Sequence, residues 1–368
     1  MQGSLEEVVL SPKILSEYEI GYGTYSVVPL IRGHLNRTFV IERNSVTTAP
    51  SILLQQINEH VFGNITALMA NISKVCATLG KSSSYNREAT PLTLLRTQNG
   101  EPFTRDEDGN PWRAFRYLSG RLIFDQCPSE DVAWAAGRLC ALFLSSFHHE
   151  NLSGFSETIP FFQNLTKRFI ALKEASLQDV MGRLRVISSE VASLLNLAEH
   201  VAGITDDPAL PIRLCHNDFK LNNLLFVNPD KIKGDAVVDL DTCMPGAITY
   251  DIGDMLRSIA LERPEDEPDI TTVHGNHAII SACISGFMEV IGDNLTPTEL
   301  YRAADSPRAV SLALAARFYT DYLNGDRYFR VEDPEQNLRR ARVYVKLATE
   351  LYGLMKDKII RRMILKTS

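Results

Sequence analysis

Up to Leu118 the apolar positions come in short runs, 25–30, 37–41, 51–57, 92–95 and 111–118, each rich in β-branched or aromatic residues and bounded by Gly, Pro, Asn or Asp. That pattern predicts five strands closed by turns. A polar insert, TQNGEPFTRDEDGN, separates the last two runs. One helix is predicted over 58–79, where Ile65, Leu68, Met69, Ile72, Val75, Cys76 and Leu79 keep a helical spacing, and residues 4–17 read as a short amphipathic helix. From Ser119 the period changes. Segment 129–148 carries an apolar face through Val132, Trp134, Ala135, Leu139, Leu142 and Phe143, with Ser129 placed to cap it. Helical patterns follow over 161–175, 183–202, 274–292, 307–323 and 335–354. The expectation is an α+β fold in two lobes: a small antiparallel sheet lobe with one helix, 1–118, and a larger, mainly helical lobe, 119–368, hinged near Ser119-Gly120.

A chain of 368 residues is long enough for two lobes. Its net charge of -7 excludes phosphate-backbone binding as the main activity, so nucleic acid is not expected as a partner. Six scattered cysteines without a C-x-x-C pair fit a reducing, cytoplasmic setting. The N-terminal residues lack a basic segment followed by an apolar core, and no run of 18 apolar residues occurs, so neither secretion nor a membrane partner is expected. The pairs His274/His277 and His148/His149 read as surface or capping residues, and the basic tail KDKIIRRMILK as a solvated helix end.

The chemistry concentrates in LCHNDFKLNN, residues 214–223, answered by VVDLDTCMPG, residues 237–246. His216, Asp218 and Asn223 form H-x-D-x-x-x-x-N, and Asp239 ends an apolar strand-like run. Phosphoryl transfer needs such a layout: one carboxylate to aim an acceptor hydroxyl at the γ-phosphorus, and hard oxygens to hold magnesium. Asp218 fits the first task; Asn223 and Asp239 fit the second. Asp241 adds a carboxylate that could bind a second magnesium or hold Lys220. Lys220 can reach the transferring group as a point charge. The plainer alternative for His216, Asp218 and Asn223 is a hydrogen-bonded loop between strands.

On the nucleotide side, Arg32-Gly33-His34-Leu35-Asn36 lies between two strand patterns and could fold over phosphates, with Gly33, His34 and Asn36 as contacts. The segment from Gly21 to Ser26 lacks a third glycine and leads into a strand, so it is read as a turn. Adenine is expected against Arg116, Tyr117 and Leu118 in the crevice between lobes, with Trp112 and Phe115 as core.

Five stretches carry a resemblance: ILLQQIN at 52–58, HNDFKLNN at 216–223, VVDLDTCMPG at 237–246, YDIGDMLRS at 250–258 and RFYTDYLNGDRYF at 317–329. The chain resembles the aminoglycoside-phosphotransferase-like branch of the protein-kinase-like superfamily and, within it, the N-acetylhexosamine 1-kinases. The resemblance implies a bilobal protein-kinase-like fold, ATP as co-substrate with Mg2+, Asp218 as catalytic base, Asn223 and Asp239 as metal ligands, and Arg317 and Tyr328 as residues holding the sugar. For Arg317 the alternative is an ion pair with Asp321 at i+4. Gln55 and Gln56 stand in the third strand where a protein kinase has its phosphate-pairing lysine, and the helix that follows shows no glutamate partner.

The implied activity is transfer of the γ-phosphate of ATP to the anomeric hydroxyl of N-acetylglucosamine or N-acetylgalactosamine. Two alternatives stand beside it: a kinase of another hydroxyl acceptor (an aminoglycoside, an amino alcohol or another sugar), and a non-catalytic nucleotide-binding regulatory module.

Overall fold

The computed structural model describes residues 10–20, 25–30, 36–43, 51–201, 204–228 and 230–365. Of the helix expected over 4–17, residues 4–9 lie outside the described residues; the described part holds α1 (Pro12–Glu17), started by Ser11, whose side chain accepts from the Ile14 N–H, and by a proline in its first turn. The chain then lays down β1 (Tyr25–Pro29), β2 (Arg37–Arg43), β3 (Ile52–Gln56), α2 (Ile65–Lys81), α3 (Ser83–Glu88), β4 (Leu94–Leu95), β5 (Thr104–Arg105) and β6 (Pro111–Arg116). The sheet is antiparallel in the order β1-β2-β3-β6-β4, with β5 also on β6.

Two expectations are corrected. The polar insert supplies a sixth strand, β5, because Asp106 folds it back: its carboxylate accepts from the backbone N–H groups of Asp108 (3.0 Å) and Asn110 (2.8 Å) and from the Trp112 indole (2.8 Å). The helix expected from residue 58 starts seven residues later. Asn64 caps α2 by accepting from the Ala67 N–H, while Phe62, fully buried, enters the core from a turn.

Strand alternation divides the sheet between two cores. Phe39, Ile41, Ile52, Leu54, Trp112 and Ala114 pack with α1 in a small cluster of their own. Phe115, Leu53 and Leu94 point the other way, into a large cluster that contains α2 and the helical region. Trp112 and Phe115 are both core, on opposite faces. Arg113 shares the Phe115 face.

The remaining elements are α4 (Glu130–Ser145), α5 (Leu165–Gln178), α6 (Leu184–Ala198), β7 (Ile212–Cys215), β8 (Leu224–Val227), β9 (Lys233–Val237), β10 (Met244–Ala247), α7 (Ile248–Ala260), α8 (His277–Ile291), α9 (Pro297–Ala303), α10 (Ser306–Leu323), α11 (Gln336–Met355) and α12 (Lys358–Leu365). Ser129 caps α4 by accepting from the Val132 N–H. The basic tail is itself a helix, α12, with Ile360 and Ile364 buried. β7 pairs with β10 and β8 with β9, giving two short ribbons that carry the chemistry-bearing loops. All six cysteines are unpaired, and every one except Cys76 is buried. None of the described helices is long and apolar enough to cross a membrane.

Helices α4 and α8 meet through glycines. A Cβ built on Gly137 would lie 2.0 Å from the Cys283 carbonyl oxygen, and one on Gly286 would lie 2.1 Å from that of Trp134. Neither obstacle is a movable side chain. Gly137→Ala is therefore expected to force the helices apart and cost about 1–3 kcal/mol, read as a lower urea midpoint at unchanged m-value.

Candidate active site

β7 delivers the chain to His216, and α7 decides what happens next. Asp251, in the first turn of α7 and fully buried, accepts from the backbone N–H groups of His216 (2.7 Å) and Asn217 (2.6 Å). Asn217 takes a left-handed backbone, φ 67, a conformation with a local cost that surrounding bonds must hold. Its amide donates to the Thr242 carbonyl at 2.8 Å, and its carbonyl oxygen accepts from Gln163. The loop is thus pinned from three sides.

His216 is a positioning group. Its Nδ1 lies 3.2 Å from the Asp218 N–H and accepts from it, so Nε2 carries the proton and donates to the Val238 carbonyl at 3.0 Å. Burial lowers its pKa to about 4, which keeps the ring neutral. The imidazole stacks on Phe219, with centroids 4.6 Å apart, and meets the edge of Phe143 of α4 at 5.5 Å.

Asp218 is half-buried at the mouth of the loop. Its Oδ2 is 2.9 Å from Lys220 Nζ and accepts from Asn223 Nδ2 at 2.9 Å. Burial works to raise its pKa, but the Lys220 charge outweighs it and holds the carboxyl below its ordinary value. With Oδ2 engaged, Oδ1 is the oxygen left for an acceptor hydroxyl. Lys220 responds in the opposite sense: burial works against its charge, and the carboxylates of Asp218 and Asp239 overcome that and raise its pKa.

Asp239 follows Val238 at the end of β9, again with a left-handed backbone, φ 63. Its side chain is exposed, yet protein packed around it still strips away part of its water. Desolvation, with the charges of Asp241 and Asp218, pushes its carboxyl up to about 7. It has no hydrogen-bond partner among the described residues. A carboxylate crowded by like charges binds a proton too readily, and a divalent cation would replace that proton. Asn223 donates its amide to both the backbone and the side chain of Asp218, at 2.9 Å each, so its carbonyl oxygen is the group it can offer. Asp239 and Asn223 therefore fit the hard-oxygen donor set of magnesium.

Asp241 differs from its expected role. It does not hold Lys220, which is on Asp218. The Asp241 carboxylate is gripped by Arg113 of β6, through Nη1 and, at 2.9 Å, through Nη2, and it accepts from Asn36 Nδ2 at 2.6 Å. Each of its oxygens accepts at least one of these bonds, which fixes the carboxylate to the sheet.

Of the expected nucleotide contacts, Gly33 and His34 lie outside the described residues. Asn36 stands at the start of β2, and its carbonyl oxygen also accepts from the Asn58 N–H, 3.1 Å away. Arg116 ends β6 with an exposed side chain, and Tyr117 and Leu118 follow it half-buried. The Arg116 N–H is given to the Thr93 carbonyl and that of Tyr117 to Ser51, both at 2.9 Å.

Of the expected sugar contacts, Arg317 of α10 has no ion pair with Asp321. Its Nη2 is 3.4 Å from the Tyr328 hydroxyl, and its guanidinium lies over the rings of Tyr328 and Phe329 at 5.5 and 5.2 Å. Asp321 is consumed otherwise. It accepts from the N–H groups of Arg327, Tyr328 and Phe329 at 2.8–2.9 Å and from the Asn337 amide at 2.9 Å, which folds the chain after Gly325 (φ 88) back over α10. Asp326 is held by Arg183 (2.6 Å) and by Asn337 (2.9 Å).

Four residues absent from the sequence-based site turn out to build it: Arg113, Gln163, Asp251, and Asn71 of α2, whose amide donates to the Cys243 carbonyl at 3.0 Å. Arg113 alone left a trace, a charge at an inward position of an otherwise apolar strand.

An antiparallel sheet beside a helical body, with an Asp-bearing loop and a strand-end Asp close enough for their charges to act on each other, is the arrangement of a protein-kinase-like phosphotransferase. Residues 77–282 match the phosphotransferase enzyme family, APH. The chain belongs to that family and is thereby a small-molecule phosphotransferase. Among solved structures it is similar to an aminoglycoside phosphotransferase from Alicyclobacillus acidocaldarius, at 16% identity and TM-score 0.61 over 100% of both chains. A microcompartment-associated aminopropanol kinase follows at 15% and 0.59, over 91% of this chain and 94% of that one. A spectinomycin phosphotransferase, solved with ADP and spectinomycin, matches at 12% and 0.54, over 93% and 98%. What these three share with the chain is the fold.

Proposed function

We propose that the protein transfers the γ-phosphate of ATP to the anomeric hydroxyl of an N-acetylhexosamine. Residues 1–118 would form the nucleotide lobe, with Gly33, His34 and Asn36 at the phosphates and Arg116 to Leu118 along adenine; residues 119–368 would hold the sugar and the catalytic loop. Asp218 orients the anomeric oxygen and takes its proton late, as suits a loose transition state. An anomeric hydroxyl is more acidic than an ordinary alcohol, which suits a base as weak as a carboxylate. Lys220 balances charge on the transferring group. Asn223 and Asp239 would hold magnesium, which supplies neutralisation of the phosphate oxygens when bound.

The observation that carries the choice of acceptor is the state of Arg317. Its guanidinium faces Tyr328 without a carboxylate partner among the described residues, while Asp321 and Asp326 nearby are spent on backbone, Asn337 and Arg183. An unpaired fork of donors suits a carbonyl, such as that of an acetamido group. A cationic acceptor, as in the spectinomycin or aminopropanol enzymes, would look for free carboxylates there instead.

The test is ADP release over a panel of hexosamines, N-acetylhexosamines, amino alcohols and aminoglycosides, with phosphorus NMR of the product. Phosphate on C1 of an N-acetylated sugar is expected. Arg317→Ala should raise KM for that sugar about tenfold or more, the worth of one charged hydrogen bond, with kcat little changed. A product phosphorylated on O6, or turnover with aminoglycosides alone, would overturn the assignment. ADP release that no acceptor stimulates would favour the regulatory module.

A further inference from the structure

Asp239 feels the charges of two other carboxylates, Asp218 and Asp241, and two cations answer those: Lys220 takes Asp218 and Arg113 takes Asp241. Among the described residues, Asp239 alone of the three has no ion pair of its own. The Arg113–Asp241 pair is the most enclosed of the set, with side chains 2% and 1% exposed. It is also the end of a row that crosses the sheet. Thr38, Gln55 and Arg113 are cross-strand neighbours on β2, β3 and β6. Gln55 donates to the Thr38 hydroxyl at 3.1 Å and accepts from Arg113 Nε at 2.9 Å, and Arg113 then forks onto Asp241. Asn36 reaches the same carboxylate from the start of β2. Asp241 is therefore tied to the sheet at two points, two residues beyond Asp239.

We propose that Arg113 is the positioning residue for the metal and nucleotide half of the site, standing in for the missing lysine of β3, with Asp241 as its latch. It acts at a distance from the phosphates. By neutralising Asp241 and fixing it to β6 and to Asn36, it sets the 239–242 loop beneath the sheet and leaves Asp239 as the one of the three carboxylates without an ion pair among the described residues, ready for one divalent cation. Gln55 completes the arrangement: a lysine there would place a second cation beside the guanidinium, whereas the glutamine carbonyl accepts from it. The inference rests on the nucleotide part of the proposed function and is independent of the acceptor.

The test is ADP binding by calorimetry with Mg2+ and no acceptor, together with KM for ATP and for the acceptor. Arg113→Met should weaken ADP about tenfold or more and raise KM for ATP in step, leaving the acceptor KM within about twofold. Arg113→Lys, which keeps the charge and loses the fork, should recover part of the loss. If Arg113→Met does not fold, Gln55→Leu, which removes the acceptor of Arg113 Nε and leaves the Arg113–Asp241 pair in place, should shift ADP affinity in the same direction by a smaller factor. A folded Arg113→Met with unchanged ADP affinity, or with both KM values raised alike, overturns the proposal, as does a Gln55→Leu with wild-type ADP binding. Failure of the wild-type protein to bind ADP would instead remove the proposed function itself.

Discussion

Asp218→Asn is expected to lose about 10²–10⁴-fold in kcat while ADP affinity stays within about twofold. The amide keeps the shape of the carboxylate and can still accept from Asn223, so the loop is retained. It cannot take a proton, and its side chain no longer balances Lys220, which lies 2.9 Å from Asp218 Oδ2. Because the transition state is loose, part of the loss is misorientation of the acceptor oxygen and not the missing base alone. Single-turnover rates with saturating ATP and acceptor, set beside calorimetric ADP binding, separate these. A variant that keeps more than about a tenth of wild-type kcat would remove Asp218 from the role of base.

Asp251→Ala should be the most damaging single change to the loop that is remote from the reacting atoms. It strands two buried backbone N–H groups, those of His216 and Asn217, which now donate at 2.7 and 2.6 Å. Unsatisfied donors cost about 1–3 kcal/mol each, so a loss of about 3–5 kcal/mol is expected when the lost charged bonds are included. Urea denaturation measures it. In the fraction that folds, kcat should fall as well, since a displacement of about 1 Å at a reacting group is worth about 10²-fold. A variant with the wild-type midpoint would show that the loop is held by other bonds.

The sheet and most helices were legible because their apolar periods were clean. Ser129 announced α4, and the H-x-D-x-x-x-x-N spacing marked the loop that α7 and β7 position. α7 itself was hidden. Ile248 through Arg257 are all buried, including Asp251, Asp254 and Arg257, so there is no polar face for a period to reveal. The run from Tyr250 to Asp254 could be quoted from the sequence, but its division of labour could not: Asp251 holds the loop, Asp254 binds Arg257 at 2.7 Å, and Gly253 lets α10 approach, where a Cβ would lie 2.7 Å from the Ser306 carbonyl oxygen. The role of Arg113 was hidden for another reason, although its charge in an apolar strand stood out. Its partners are 58 and 128 positions away, brought together by strand register and by packing between sheet and loop, which spacing along a chain does not encode. The start of α2 was misread because Val61 and Phe62 continue the apolar pattern upstream of the Asn64 cap.

The loop that carries Asp218 is bracketed by two thiols. Cys215 precedes it on β7, Cys243 follows the Asp241 turn, and both are buried, next to each other across the β7–β10 ribbon, where Met244 faces Cys215. Burial first, and the nearby Asp251 charge second, hold both thiols well above their ordinary pKa. Peroxides and electrophiles react with thiolates. Sulfur at this position therefore packs as a small apolar atom, and the loop between the two thiols offers an oxidant little thiolate while the ribbon stays closed.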